Sequence, residues 1–375
     1  MATKRLETKE QIDDFVRGCT FFGTGGGGKP EDGTGELYRI MGLGKTIEWT
    51  DANDISDDEV SVCPFLMGSI APWTSDLVEE MKSFGLTKQY HDNLLVKSTE
   101  LLSKYTGEKP TVIVPIELGG ANTPTAVAAA AELGISVVDG DYTGRAIPEI
   151  PQTTPFLHGK DLLPISSWDR WGNVCFIADA VNPLMAERIG KLISTAAYGL
   201  TGQAGFLMPA REMKEVLIRG TLTECLEIGR TIREERTAGR DPINRVLTQT
   251  GGKLLFKGTV SKKEWEDKIG YYWGTHEISG EGQYEGKTFK IWFKNENHIS
   301  WLNEEVFLTS PDLIIVVRSD DCEPLANPAI NEGMRVLVIG LRAREQFLIE
   351  KGINILGPRH FGFDYEYRPF LSLIE

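Results

Sequence analysis

The chain has 375 residues, enough for two or three domains that each bury a core without disulfide or metal staples. Its 54 acidic residues against 40 basic ones give a net charge of -14, the wrong sign for neutralising phosphates, so nucleic acid is excluded as a partner. No apolar run is long enough to cross a membrane and the N-terminus lacks the apolar core of a signal peptide, so the expectation is a cytoplasmic protein with no membrane partner.

From the N-terminus, Thr8 with Gln11 forms a capping-box signature, and Ile12, Phe15 and Val16 share one helical face behind it. The predicted helix runs into Gly23-Thr24-Gly25-Gly26-Gly27-Gly28-Lys29-Pro30. This segment fits G-x-G-x-x-G, but a dinucleotide fingerprint follows a strand, and this one follows a helix. It also fits a Walker A loop as far as Lys29, where the next position must carry a hydroxyl and holds Pro30 instead. What remains is a run of backbone N–H groups with no side chains in the way, suited to close approach of a ligand, or else a flexible surface loop.

Residues 111–116 read as a buried strand, and residues 126–133 as an alanine-rich helix ended by Gly134, with Thr123 as its cap and Pro124 at its first position. Residues 135–138 form a second short apolar strand, so the unit is strand, loop, helix, strand, a parallel crossover. Its two loops, Glu117-Leu118-Gly119-Gly120-Ala121-Asn122 and Asp139-Gly140-Asp141, then fall on the carboxyl edge of the sheet, where ligands bind in open α/β sheets. The second loop continues through Tyr142-Thr143-Gly144-Arg145-Ala146-Ile147-Pro148-Glu149, and three acids and an arginine so close together have the composition of a site mouth or of a solvated loop. A linker is expected around residues 168–172. The pattern from 184 to about 238 is helical, with Met213, Val216 and Leu217 and then Leu222, Cys225 and Leu226 at three-and-four spacing around a break at Gly220. Residues 250–345 turn to strand alternation, in which Phe289, Ile291 and Phe293 oppose Lys290, Trp292 and Lys294 before a turn at Asn295-Glu296-Asn297. The expected fold is thus α/β: an N-terminal α/β domain over 1–170 with a mostly parallel sheet, and a C-terminal domain over 171–375 of helices and a β-rich module.

The five cysteines, Cys19, Cys63, Cys175, Cys225 and Cys322, are odd in number and contain no C-x-x-C pair, as expected of reduced thiols. His91, His158, His276, His298 and His360 show no metal-binding spacing, so no metal and no cofactor is expected. Magnesium among Glu117, Asp139, Asp141 and Glu149 is the competing arrangement.

Three segments together, Gly18-Cys19-Thr20-Phe21-Phe22-Gly23-Thr24-Gly25-Gly26-Gly27-Gly28, Glu117-Leu118-Gly119-Gly120 and the turn from Asp139 to Glu149, resemble the S-methyl thiohydantoin desulfurase-like family, as does the closing Gly357-Pro358-Arg359-His360-Phe361-Gly362-Phe363-Asp364. The sequence departs from the family pattern at Tyr142-Thr143, where a smaller residue followed by an apolar one is expected. The resemblance implies a hydrolase acting on a small-molecule ring: water adds to the C–S carbon of an S-methyl thiohydantoin, a thiol leaves, and the hydantoin results. Asp139 or Asp141 would then be the base, Glu149 its partner and Arg145 the group on the developing anion. Thr24, Gly25, Gly26, Gly27, Glu117, Gly119, Gly120 and Asn122 would surround the substrate. The alternatives are a magnesium-nucleotide enzyme built on the glycine loop and a non-catalytic small-molecule-binding protein; a homo-oligomer stays open in either case.

Overall fold

Two helices from distant parts of the sequence, Lys9–Phe22 and Thr221–Thr237, pack with their backbones nearly touching. The computed structural model describes residues 4–90 and 93–373, which leaves His91 outside the described residues. Helix Lys9–Phe22 starts at the expected capping box, where the Gln11 N–H donates to the Thr8 hydroxyl and the Gln11 amide oxygen accepts from the Thr8 N–H. It lies against helix Thr221–Thr237 through two glycines. A Cβ at Gly18 would stand 1.7 Å from the Cys225 carbonyl oxygen, and one at Gly229 would stand 1.7 Å from that of Asp14. Asp14 is buried in this contact and is held by Arg17 and Arg233, each at 2.9 Å.

The central six-stranded sheet runs in the order Ser136–Val137, Val112–Ile113, Val60–Gly68, Leu200–Pro209, Ile165–Asp169, Val174–Ile177. The expected crossover is present, with strands Val112–Ile113 and Ser136–Val137 parallel and helix Asn122–Leu133 between them. Only the first three strands are mutually parallel, however, so the sheet is mixed rather than mostly parallel. The difference comes from Leu200–Pro209, which lies inside the stretch read as helical and inserts antiparallel beside Val60–Gly68. Buried on both faces, it carries no alternation that would mark it as a strand. Residues 168–172 are the end and turn of the hairpin joining the last two strands, not a linker.

Beyond residue 250 the alternation resolves into one antiparallel sheet of seven strands, ordered Glu305–Thr309, Glu296–Leu302, Thr288–Lys294, Tyr271–Gly280, Lys253–Lys268, Arg335–Leu341, Leu313–Arg318. Phe289, Ile291 and Phe293 point into its core as expected. The sheet curls enough that the Asn297 amide donates to the Ile314 carbonyl at 2.8 Å, across four intervening strands. Among the described residues no helix is long and apolar enough to cross a membrane.

The helix contact tolerates no added methyl on either side, because backbone carbonyls occupy the space and cannot rotate away. Gly18→Ala and Gly229→Ala are therefore each expected to lower the unfolding free energy by about 1–3 kcal/mol, the usual cost of overpacking. Urea denaturation measures this, and wild-type midpoints in both variants would contradict the contact.

Candidate functional site

The Glu117 and Asn122 loop, the glycine loop, the turn from Ile147 to Ile150 and the start of strand Glu296–Leu302 converge on one cleft of about 730 Å³, a volume usual for small-molecule sites. Helix Pro183–Ala196 closes it from another side with Glu187 and Lys191. The floor is therefore built from both halves of the chain.

Two carboxyl groups dominate that floor. Glu117 accepts from the Asn122 side-chain amide at 2.8 Å and from the Ile147 N–H at 2.7 Å. Glu296 accepts the Gly27 N–H at 3.3 Å, and among the described residues its second oxygen is buried without a partner. Burial pushes Glu117 up to about 7, against the two hydrogen bonds and the charge of Lys191. Burial likewise raises Glu296 well above the carboxylate range, and the Glu117 charge pushes it the same way, while Arg145 and Lys191 oppose. Like-charge repulsion between two carboxyls in a dry site favours keeping a proton on the pair. Beside them the Lys191 ammonium donates to the Gly68 carbonyl at 3.2 Å and sits 4.3 Å from the Tyr271 ring centroid, its acidity increased by burial. Glu187 accepts from the Ile150 N–H and the Tyr271 hydroxyl.

Of the residues singled out in the sequence, Glu117, Asn122, Gly27 and Glu149 line the cleft. Glu149 is fully engaged there: one oxygen pairs with Lys294 and the other lies 2.7 Å from His360 Nε2. Burial alone would push its pKa up, but His360 and Lys294 outweigh that and hold the carboxyl down at about 2, so it is an ionised strut rather than a proton donor. The other predicted catalytic residues lie outside the cleft lining and have structural partners. Asp139 accepts the N–H groups of Leu222 and Thr223 and the Thr223 hydroxyl, which caps helix Thr221–Thr237. Asp141 is fully buried and accepts the N–H groups of Thr143 and Gly144, closing its own turn; burial pushes it up to about 6. Arg145 spends all five N–H donors on the carbonyls of Ala146, Pro311, Asp312 and Asn297 and on the Thr24 hydroxyl, which leaves none for a substrate anion.

The glycine loop lacks side chains because the protein itself fills the space. A Cβ on Gly26 would lie 1.9 Å from Glu296 Oε1, one on Gly25 would lie 2.5 Å from the Asn327 amide nitrogen, and one on Gly27 would lie 2.3 Å from the Gly119 Cα. Gly120 packs on Thr20 and Pro30 in the same way, and Thr24 is buried under Arg145. Among these glycines, Gly27 and Gly28 line the cleft, while Gly25 and Gly26 back onto Asn327 and Glu296. Thr123 is not the cap of helix Asn122–Leu133; its hydroxyl bridges Gly119 and Glu117 and fixes the loop behind the carboxylate.

Sequence reasoning missed Glu296, Glu187 and Lys191. Glu296 sat in a segment read as a turn, and the helix carrying Glu187 and Lys191 reads as an ordinary amphipathic one. The available signal was a lone acid between strands whose inward neighbours are apolar. Cys19, Cys63, Cys225 and Cys322 are buried free thiols, and Cys175 is partly exposed. His276 and His298 are buried, and burial lowers both, His276 to about 3. Among the described residues no three His, Cys, Asp or Glu side chains form a group that could hold a metal ion.

Family models described as the N-terminal and C-terminal domains of S-Me-THD-like proteins match residues 10–179 and 181–370. No curated protein matches the chain. Its fold is similar to that of a structural-genomics crystal structure of a protein from Chromobacterium violaceum, with a TM-score of 0.74 at 19% identity, covering 98% of this chain and 100% of that one.

Glu149, lowered from 4.5 to about 2, contributes stability that is fully present above its ordinary value and is lost as pH falls toward 2. Glu149→Gln should cost on the order of 3 kcal/mol at neutral pH, with the stranded Lys294 adding to the loss, and the gap should close in acid. Denaturation at several pH values checks this; a gap independent of pH would mean that the carboxylate charge is not what matters.

Proposed function

The chain belongs to the S-Me-THD-like family, and from that premise we propose that it hydrolyses the C–S bond of an S-methyl thiohydantoin-type ring, releasing methanethiol and leaving the hydantoin. The observation that carries the reading is the Glu117 and Glu296 pair on the cleft floor, one carboxyl poised to accept a proton and the other to give one. Glu117, oriented by Asn122 and the Ile147 N–H, takes a proton from water as the oxygen bonds to the ring carbon that bears sulfur. The C=N electrons move onto the ring nitrogen, where the Lys191 ammonium offsets the charge. The C–S bond then breaks, Glu296 delivers its proton to the sulfur, and the remaining hydroxyl proton passes to the ring nitrogen. Glu117 ends protonated and Glu296 ionised, and exchange with water resets the pair. Arg145 acts from behind as a positioning residue, holding Thr24 and the glycine loop over Glu296.

Methanethiol release from S-methyl thiohydantoins in water labelled with heavy oxygen tests the reaction, and the label should appear in the hydantoin carbonyl. Glu117→Gln and Glu296→Gln should fold and lose roughly a hundredfold or more of turnover. Full activity in both would overturn the assignment.

The same pair fixes two pH profiles. Turnover should rise as Glu117 ionises through about 7 and fall again where Glu296 loses its proton. Because Glu117 is raised from 4.5, the folded state binds more protons than the unfolded one between 4.5 and about 7, so stability should decline as pH rises across that window. Glu117→Gln should flatten the decline and be more stable than wild type at pH 8. A wild-type midpoint that climbs across this window would contradict the raised carboxyl.

A further inference from the structure

A five-membered ring held at Glu117 and Glu296 leaves the outer part of a 730 Å³ cleft unfilled, so what lines the mouth bears on what the ring carries. There the Trp73 indole N–H donates to the Tyr198 carbonyl at 2.7 Å, and the indole stacks on Trp171 with ring centroids 6.5 Å apart and planes 19° apart. The Arg170 guanidinium lies over the Trp73 ring, 5.1 Å from its centroid. Its backbone is fixed as well, since the Arg170 carbonyl accepts from the Tyr90 N–H at 2.7 Å.

The side chain is held by stacking but is nearly without polar partners. Its single hydrogen bond is a 3.5 Å contact from Nη1 to Gln89, its Nε is buried with no partner, and among the described residues it forms no ion pair. Arg145, by contrast, spends all five donors, and Arg39, Arg233 and Arg344 all hold carboxylates. A half-buried guanidinium with unspent donors at the edge of a cleft is costly unless an anion completes it. The charges of Asp32 and Asp169 reach Arg170, but Asp32 is exposed at the mouth, and the Asp169 carboxylate is hydrogen-bonded to the Trp171 and Asn173 N–H groups and the Asn173 side-chain amide rather than paired with the guanidinium. Lys29, exposed on the same cleft, adds a second positive charge.

We propose that Arg170, backed by Trp73, binds a carboxylate on the substituent of the ring, so that the substrates are rings derived from acidic amino acids rather than neutral or basic ones. This rests on the ring-hydrolysis reading for the floor of the cleft and adds the group that selects among rings. Arg170 would make a bidentate, charge-assisted contact that lysine reproduces only as a point charge.

The test compares four S-methyl thiohydantoins differing only in the side chain, carboxyethyl, carbamoylethyl, propyl and aminobutyl, with wild type, Arg170→Met, Arg170→Lys and Trp73→Leu. Wild type should favour the acid over its amide by about tenfold to a hundredfold in kcat/KM, the scale of a hydrogen bond to a charged group. Arg170→Met should erase that preference through KM while leaving kcat for the propyl ring unchanged, and Arg170→Lys should keep part of it. Trp73→Leu should weaken it with the charge intact. Equal preference in wild type and Arg170→Met, or a wild-type preference for the aminobutyl ring, would overturn the subsite. Turnover of none of the rings would count against the reaction instead, and calorimetric binding of the carboxyethyl hydantoin to wild type and Arg170→Met then reads the subsite alone: loss of binding in the variant supports it, and equal binding refutes it.

Discussion

A guanidinium shut away from water joins the two halves of this protein. Arg145 leaves the turn after the second crossover strand and places its five donors on a loop residue of the N-terminal half, its own neighbour, and carbonyls at Asn297, Pro311 and Asp312 in the curled sheet. A buried cation without such partners would be expelled or neutralised, so the contact holds only when all three segments are in register. That register sets Thr24 and the glycine loop over strand Glu296–Leu302, and with them the Gly27 N–H that donates to Glu296. Its cost is visible in the guanidinium itself, which burial lowers to about 10 even with Glu296, Asp312 and Glu117 nearby to oppose it.

The cleft can be understood as the electrostatic consequence of that closure. Burial raises both Glu117 and Glu296, and the Glu117 charge adds to the rise at Glu296, while Glu149, a few residues along the same turn as Arg145, is held low by His360 and Lys294. Carboxyl groups in one cleft are thereby driven in opposite directions by their partners, which keeps Glu149 charged beside a pair that favours a proton. Asp139 and Asp141, the most conspicuous acids in the sequence, are drawn into caps and turns on the other side of the same strand edge.

Local signals in the sequence were reliable where local physics decided the outcome. The capping box at Thr8, the crossover through helix Asn122–Leu133, the break at Gly220 and the alternation in Thr288–Lys294 all follow from short-range patterns, and the structure has them. Strand Leu200–Pro209 was illegible because a strand buried on both faces has no period, and its insertion made the sheet mixed. The acidic turn was correctly seen as unusual, yet which of its acids faces the cleft is a long-range fact. Asp139 is taken by a helix that begins 82 residues later, and the charge of Glu117 acts on a carboxyl 179 residues away. The glycines are ambiguous for a related reason: bare backbone is needed equally for a ligand and for close packing, and here Gly27 lines the cleft while Glu296, Asn327 and Gly119 crowd the loop from behind.

The claim on which all of this turns is that Glu117 and Glu296 hold one proton between them at neutral pH. Isotope-edited difference infrared spectroscopy of the carboxyl stretch, followed across pH in wild type, Glu117→Gln and Glu296→Gln, reads that proton directly. A protonated carboxyl band that persists above pH 7 in wild type and changes in either variant is the expected result. Complete ionisation of both groups by pH 5, with spectra that differ only by the loss of one carboxylate in each variant, would contradict it.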